Sequence, residues 1–257
     1  MGRRRLLAGG AATIAVQLPG CVVPSRTSTT LQSRGQPRGT LPPDFTLLSW
    51  NVHKDPRALA EAQAEFGRDA ELLLLQEATG VRDDRWPAET MAVTFRRRSD
   101  GRPAGVLTAS TVAPEAHATQ LSRWVEPLAR TPKSALVTVY AIADGRKLLV
   151  VNVHAVNFRR ARALHEQLGS LVSVVREHAG PVIVAGDLNT WSTRRRAVAS
   201  EFAKGLGLRS AFSGPDAPRL DAVLFRDLVL DGATRLRSRY SDHDPLRVRW
   251  SSTPDLK

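Results

Sequence analysis

The sequence predicts a mixed α/β domain in which much of the strand pairing is antiparallel. Three observations carry that expectation. Apolar, β-branched runs such as Val182-Ile183-Val184-Ala185 alternate along the chain with segments of helical spacing, such as Ala161, Leu164, Leu168, Leu171, Val172 and Val175. Strand pairs include hairpins, most plainly across Asp144-Gly145. No glycine-rich nucleotide loop follows a strand, which argues against a doubly wound dinucleotide-binding sheet. At 257 residues, with 42% hydrophobic and 24% charged residues, the chain has ordinary globular usage and length for one sizeable core.

The chain opens on a basic head, Met1-Gly2-Arg3-Arg4-Arg5, followed by a small and apolar stretch from Leu6 to Pro19. That stretch is too short to span a bilayer as a mature helix. It has the layout of a secretory signal over residues 1–20, and the paired arginines also permit twin-arginine export. Leu18-Pro19-Gly20-Cys21 resembles a bacterial lipobox, which makes Cys21 the candidate lipidated residue. Pro19 is untypical of that slot, and an uncleaved anchor with an incidental thiol is the other reading. As the single cysteine, Cys21 leaves no intramolecular disulfide possible. Residues 21–43, rich in Pro, Ser, Thr and Gly, read as a disordered tether. The folded domain is expected over 44–251, with a tail at 252–257. The expected setting is the cell envelope, periplasm or exterior, held to a membrane by a lipid anchor.

Within the domain, Phe45 to Trp50 reads as a strand with Asn51-Val52-His53-Lys54 as its mouth. Asp55-Pro56 supplies an N-cap acceptor and an N1 proline, and Leu59, Ala62 and Phe66 share one face of the helix that follows. Leu72 to Leu75 is apolar on both faces, as in a covered sheet, and ends on Gln76-Glu77. A hairpin is expected from Met91 to Phe95 and Gly105 to Ala109, turning near Ser99-Asp100-Gly101, with Arg96-Arg97-Arg98 as a solvated charge run. The second hairpin joins Ser134–Ala141 to Lys147–Val153, and His154 and Asn157 follow. The helix from Ala161 is stopped by Gly180-Pro181. Strand 182–186 leads through Trp191-Ser192-Thr193 into a helix from Arg194 to Leu206. Its Arg194-Arg195-Arg196 start opposes the helix dipole, a weak hint of a visiting anion, but the expected reading is a solvated face. Leu220 to Phe225 and Leu246 to Trp250 are the last expected strands, the latter preceded by Ser241-Asp242-His243-Asp244-Pro245.

The formal charge of +12 fits an anionic partner such as nucleic acid, phospholipid headgroups or a phosphorylated small molecule. An arginine-rich composition without a binding face gives the same figure. Removing residues 1–20 takes away Arg3, Arg4 and Arg5 and no acid, so the basic balance survives export. Aromatic residues are 5%, so a base-stacking platform of the single-strand-binding kind is not indicated. No Gly-x-Ser-x-Gly offers a nucleophile, and Cys21 lies outside the domain.

Chemistry concentrates at strand ends. In Gly186-Asp187-Leu188-Asn189, residues i and i+2 of an extended backbone share a face. A carboxylate and an amide can therefore enter one cleft, suited to activating water and holding a phosphoryl oxygen. The same pattern also makes an Asx-rich turn. Glu77 at a strand mouth suits a hard cation or is a surface acid just outside the core; His154 at a strand end is ordinarily structural. Lys133 of Arg130-Thr131-Pro132-Lys133 is a candidate phosphate-binding cation or part of a surface loop, and Asn157 is a candidate substrate contact. Together Asn51, Glu77, His154, Asp187, Asn189, Asp242 and His243 suit Mg²⁺ or Mn²⁺ with histidines beside it.

Trp50-Asn51, Leu75-Gln76-Glu77, Asn152-Val153-His154, Gly186-Asp187-Leu188-Asn189 and Ser241-Asp242-His243 resemble, in order, the motifs of the endonuclease/exonuclease/phosphatase superfamily. The resemblance spans about residues 45–250. It implies a four-layer αββα sandwich with two central mixed, mainly antiparallel sheets, and metal-dependent cleavage of a phosphoester. It further implies that Glu77 binds Mg²⁺ or Mn²⁺ with Asn51 and Asp242 close by. Asp187 would orient or deprotonate water, Asn189 would hold the phosphate, and His243, oriented by Asp221, would contact the scissile phosphate. His154 would stabilise its opposite side. Ala222 after Asp221 and His53 two residues after Asn51 depart from the family's pattern. The expected protein is a monomeric, envelope-tethered hydrolase of phosphodiester or phosphomonoester bonds, nuclease-like, acting on DNA or a phospholipid headgroup. A sphingomyelin-type phosphodiesterase and a catalytically silent polyanion-binding module are the alternatives.

Overall fold

The computed structural model describes residues 28–33, 39–81, 83–96, 101–127 and 132–251. In chain order the elements are strands β1 (Ser28–Ser33) and β2 (Phe45–Asn51), then helix α1 (Pro56–Glu61) continued by a π-helical turn over Ala62–Phe66. Strands β3 (Leu72–Ala78), β4 (Ala88–Arg96), β5 (Pro103–Ser110), β6 (Ala116–Val125), β7 (Pro132–Ala141) and β8 (Lys147–His154) follow. Helices α2 (Ala161–Gly169) and α3 (Val172–Glu177) precede β9 (Val182–Asp187) and α4 (Thr193–Gly205). The chain then runs through β10 (Arg209–Ser210), β11 (Asp221–Arg226), β12 (Val229–Arg235) and β13 (Leu246–Ser251).

The strands form a seven-stranded sheet, ordered β1-β4-β5-β3-β2-β13-β12, and a six-stranded sheet, ordered β10-β11-β9-β8-β7-β6. Their pairings are parallel in β2–β3 and β8–β9 and antiparallel elsewhere. Side chains alternate across each strand. Leu47, Leu72, Leu74, Tyr140, Val150, Ile183, Phe225, Val248 and Trp250 meet between the sheets. The opposite faces are buried too. Leu48, Trp50, Leu73 and Leu75 pack with Ala58, Ala62 and Phe66, while Leu149, Val151, Val182 and Val184 pack with Leu164, Leu168, Val175 and Phe202. The result is a four-layer αββα sandwich. Burial on both faces explains why β3 is uninterruptedly apolar from Leu72 to Leu75. Each such leucine contributes about 1.5–3 kcal/mol.

The stretch expected as a tether is in part ordered. Ser28–Ser33 pair antiparallel with β4, and Leu41 is buried, exchanging backbone hydrogen bonds with Ala141 and Ala143. A ladder needs only extended backbone groups, so a Ser/Thr-rich segment can complete an exposed sheet edge despite its poor core-forming composition. The helix expected from Ala161 to Val175 is broken after Gly169. There the Ser170 N–H and hydroxyl hydrogen-bond to Glu166 and Gln167 carbonyls at the end of α2. Strands β6, β10 and β12 were not anticipated. The signal at 1–20, Cys21, Arg97 and Arg98, Ser99-Asp100, Arg130-Thr131 and the tail at 252–257 lie outside the described residues. Among the described residues no helix is long and apolar enough to cross a membrane.

Candidate active site

Topology brings the chemistry to one rim. Parallel pairing aligns the C-terminal ends of β2 with β3, Asn51 opposite Gln76, and of β8 with β9, His154 opposite Asp187. Antiparallel β11 presents its first residue there, Asp221 opposite Asp187. Antiparallel β13 does the same beside β2, which places the preceding Asp242-His243 loop at that end. The loop is pinned: the Trp50 indole donates to the His243 carbonyl at 2.8 Å, and the Ser241 hydroxyl donates to the Asn51 carbonyl at 2.7 Å. Below the rim, the Gln76 amide donates to Asn152 Oδ1 at 2.7 Å, and the Asn152 amide donates to the Leu107 carbonyl at 2.8 Å. These bonds fix the two sheets relative to each other just beneath Glu77 and His154.

Two backbone devices aim the acids. Gly186 has φ +131°, and a Cβ there would lie 2.1 Å from the Val153 carbonyl oxygen, so the turn into Asp187 requires glycine. Glu77 has φ 54°, within a register shift of β3 against β5 between Leu75 and Ala78. A bulge of this kind re-aims a side chain, and a glutamate in the left-handed region is strained by about 1–3 kcal/mol. Asn189 also has φ 51°.

Side chains then form one continuous row. Asp221 accepts from His243 Nδ1 at 2.9 Å, and His243 Nε2 faces Asp187 Oδ2 at 3.8 Å. His154 Nε2 lies 3.5 Å from that same oxygen and 3.9 Å from Glu77 Oε1. Asp187 is buried and accepts from the Asn189 N–H at 2.9 Å, the Asn189 amide at 3.0 Å and the Asn51 amide at 3.2 Å. Burial, then the charge of Asp221, raises the Asp187 carboxyl well above the ordinary carboxylate range, against His243, the Asn189 N–H and the Asn51 amide. Asp221 is raised by burial, against the hydrogen bond and charge of His243. Burial opposes charge on His243, but the hydrogen bond and charge of Asp221, then Asp187 and Asp242, lift it to about 9. Burial, then Lys133, keeps His154 neutral by holding it well below 6.5. Burial would raise Glu77, but His154 when protonated, Lys133 and Lys54 outweigh it and bring the carboxyl to about 2.

Several expected residues sit in different company. Asp242 turns outward, 68% exposed, with its carboxylate 3.2 Å from His53 Nδ1 rather than beside Glu77. Lys133 is buried, its ammonium 3.2 Å from Glu77 and 3.4 Å from Glu126, so in this state it serves acids instead of an open phosphate position. Asn157 Oδ1 accepts from the Trp191 indole at 3.0 Å and from the Phe158 N–H at 2.8 Å. The second amide contact of Asn189 is the Ala155 carbonyl at 2.9 Å, so this residue braces Asp187 and the β8 loop. The solvated arginine face expected at 194–196 is not uniform. Arg195 is 0% exposed and donates to the carbonyls of Asn189 (2.6 Å), Arg159 (3.1 Å) and Val156 (2.7 Å). Three carbonyls gathered from two loops explain its burial, a tertiary fact invisible in a run of like residues. Lys54, 2.6 Å from Glu77, and Glu126 were likewise missed; neither lies in a motif.

The donor set fits a hard divalent cation. One ligand atom each from Asp187, Asp221 and His243 lie mutually within 4.8 Å, and two carboxyls raised by burial mark a place where added positive charge is favourable. Glu77 is ion-paired with Lys133 and the half-exposed Lys54, yet its buried Oε2 has no hydrogen-bond partner among the described residues, an acceptor that a hard cation would satisfy.

A family model described as Endonuclease/Exonuclease/phosphatase family matches residues 48–243. A UPF0294 protein of Yersinia enterocolitica is 40% identical over 218 residues, covering 79% of this chain and 82% of that relative. The human Nocturnin catalytic domain with bound sulfate superposes with a TM-score of 0.60 at 20% identity, covering 88% of this chain and 97% of that one. Sphingomyelinase C from Streptomyces griseocarneus gives 0.58 at 18%, covering 81% and 99%. At these identities the two structures speak for the fold alone.

Proposed function

The chain belongs to the endonuclease/exonuclease/phosphatase family, a family of phosphoesterases, and on that premise we propose that it is a divalent-metal-dependent phosphodiesterase of nuclease-like type. The single observation supporting this most is the unbroken row Asp221–His243–Asp187–His154–Glu77, drawn from strands far apart in sequence.

Asp187 accepts the proton of the attacking water. Its raised pKa matches that task, and the Asn51 and Asn189 amides hold its orientation. His243 is an imidazolium held by Asp221, so it donates to the scissile phosphate and protonates the departing oxygen. Neutral His154 donates from the other side of Asp187 Oδ2. Glu77, with Asn51, would hold Mg²⁺ or Mn²⁺, which would supply charge neutralisation for the phosphoryl oxygens, whereas Asp242, turned outward onto His53, is not placed to join them. The formal charge of +12 supports a polyanionic substrate such as DNA. Export and a lipid anchor at Cys21 belong to the proposal on the strength of the N-terminal sequence alone.

The test is an assay of the full chain with Mg²⁺ or Mn²⁺ on plasmid DNA, sphingomyelin vesicles and a chromogenic phosphodiester, each repeated with chelator. Chelator-sensitive hydrolysis of DNA is expected. Turnover of sphingomyelin alone selects the lipid phosphodiesterase reading, and no turnover anywhere leaves a silent polyanion binder. Full activity in Asp187→Asn refutes the assigned base.

A further inference from the structure

Two large aromatic side chains stand exposed at the same edge of the rim, Phe158 at 66% and Trp191 at 49%. Exposed aromatic rings are ordinarily mobile, but Trp191 is held at two points. Its indole N–H donates to Asn157, and the buried guanidinium of Arg195 lies 5.6 Å from its ring centre. Arg195 ties this loop to the β8–α2 loop through Asn189, Val156 and Arg159. The ring is therefore a fixed plate that remains half in water, an arrangement core packing does not require.

That plate walls a cavity of about 310 Å³, within the size range of small-ligand sites. Its lining includes Pro218, Arg219 and Arg235 together with Asp221 and His243 of the catalytic row. A flat group seated on Trp191 would thus lie next to the scissile phosphate. The charged lining, in which Asp244 is ion-paired with Arg235, Asp242 lies beside His53 and Arg219 is exposed to meet a sugar–phosphate chain, does not suit an acyl chain. It suits a polar heterocycle.

We propose that the cavity between Trp191 and the Asp221–His243 pair is a subsite that stacks one nucleobase, so that the phosphoester cleaved belongs to a nucleotide or an unpaired nucleic-acid strand. This rests on the phosphodiesterase reading and names its substrate class. It differs from a multi-base platform, which the low aromatic content does not indicate, in requiring one ring only. Arg195 acts here as a positioning residue.

The test compares thymidine 5′-(4-nitrophenyl phosphate) with methyl 4-nitrophenyl phosphate, which share a leaving group and differ in the nucleoside. In the wild type the ratio of their kcat/KM values favours the nucleoside ester. Trp191→Ala should collapse that ratio about ten- to a hundredfold, as expected for loss of one base–aromatic stack, and Trp191→Phe should largely keep it. Arg195→Met should lower the ratio through the nucleoside ester's KM. An unchanged ratio in Trp191→Ala overturns the subsite, as does selective loss of sphingomyelin-vesicle turnover in that variant, which would assign the plate to a bilayer. Binding is read separately. Intrinsic fluorescence of the full chain should be quenched by an oligothymidylate, more than by an abasic strand of equal length, and this difference should vanish in Trp191→Phe. Base-independent quenching overturns the inference whatever the activity, whereas base-dependent quenching without hydrolysis refutes only the enzymatic reading.

Discussion

At the scale of single residues, His243 ties stability to pH. Asp221 holds the folded imidazole at about 9 against an ordinary 6.5. Its contribution is therefore fully present below about 6.5 and is lost as pH rises through about 9, on the order of 3 kcal/mol in all. In metal-free buffer, denaturant unfolding of the wild type should lose stability across that window, and His243→Ala should not. Asp221→Asn keeps the shape of the pair but removes the charge behind the imidazole. Its turnover should fall about 10²–10⁴-fold, read as kcat on the chromogenic diester. Lys54 offers a prediction of opposite sign. Its ammonium sits 2.6 Å from Glu77 and is half-exposed, so an incoming cation has to displace it. Lys54→Met should bind Mn²⁺ roughly fivefold more tightly in a calorimetric titration, because a partly exposed ion pair of about 1 kcal/mol no longer has to be broken.

At the scale of elements, the strand ends are set by close backbone approach. Gly186→Ala would place a methyl group 2.1 Å from the Val153 carbonyl oxygen at φ +131°. A loss of about 2–4 kcal/mol, measured by thermal unfolding, is expected together with loss of activity, since Asp187 is the next residue. This scale also shows what the sequence discloses. β9 and the hairpin of β7 and β8 were legible because apolar runs met unambiguous punctuation, Gly186 in one case and Asp144-Gly145 in the other. β6 and β12 were not, because edge strands are only partly buried and carry mixed polarity, as Ala116–Val125 does. The fine geometry of the site escaped for another reason. The burial of Arg195, the pairing of Lys133 with Glu77 and Glu126, and the outward turn of Asp242 depend on loops meeting in space, which local spacing does not encode.

At the scale of the whole molecule, the sandwich works as a convergence device. Two parallel pairs, one in each sheet, align four strand ends, and antiparallel neighbours bring Asp221 and the His243 loop to them. The Gln76–Asn152 hydrogen bond between sheets keeps the two halves of the rim in register. Separations of 136 residues between Asn51 and Asp187 and 193 between Trp50 and the His243 carbonyl show how non-local the centre is. The most direct measurement is a calorimetric titration of Mg²⁺ into the full chain, its Glu77→Gln variant and its Asp187→Asn variant. One saturable site, weakened at least tenfold by Glu77→Gln, is the predicted result. Equal affinity in wild type and Glu77→Gln, or no binding to the wild type, would contradict a cation centre built from these distant strand ends.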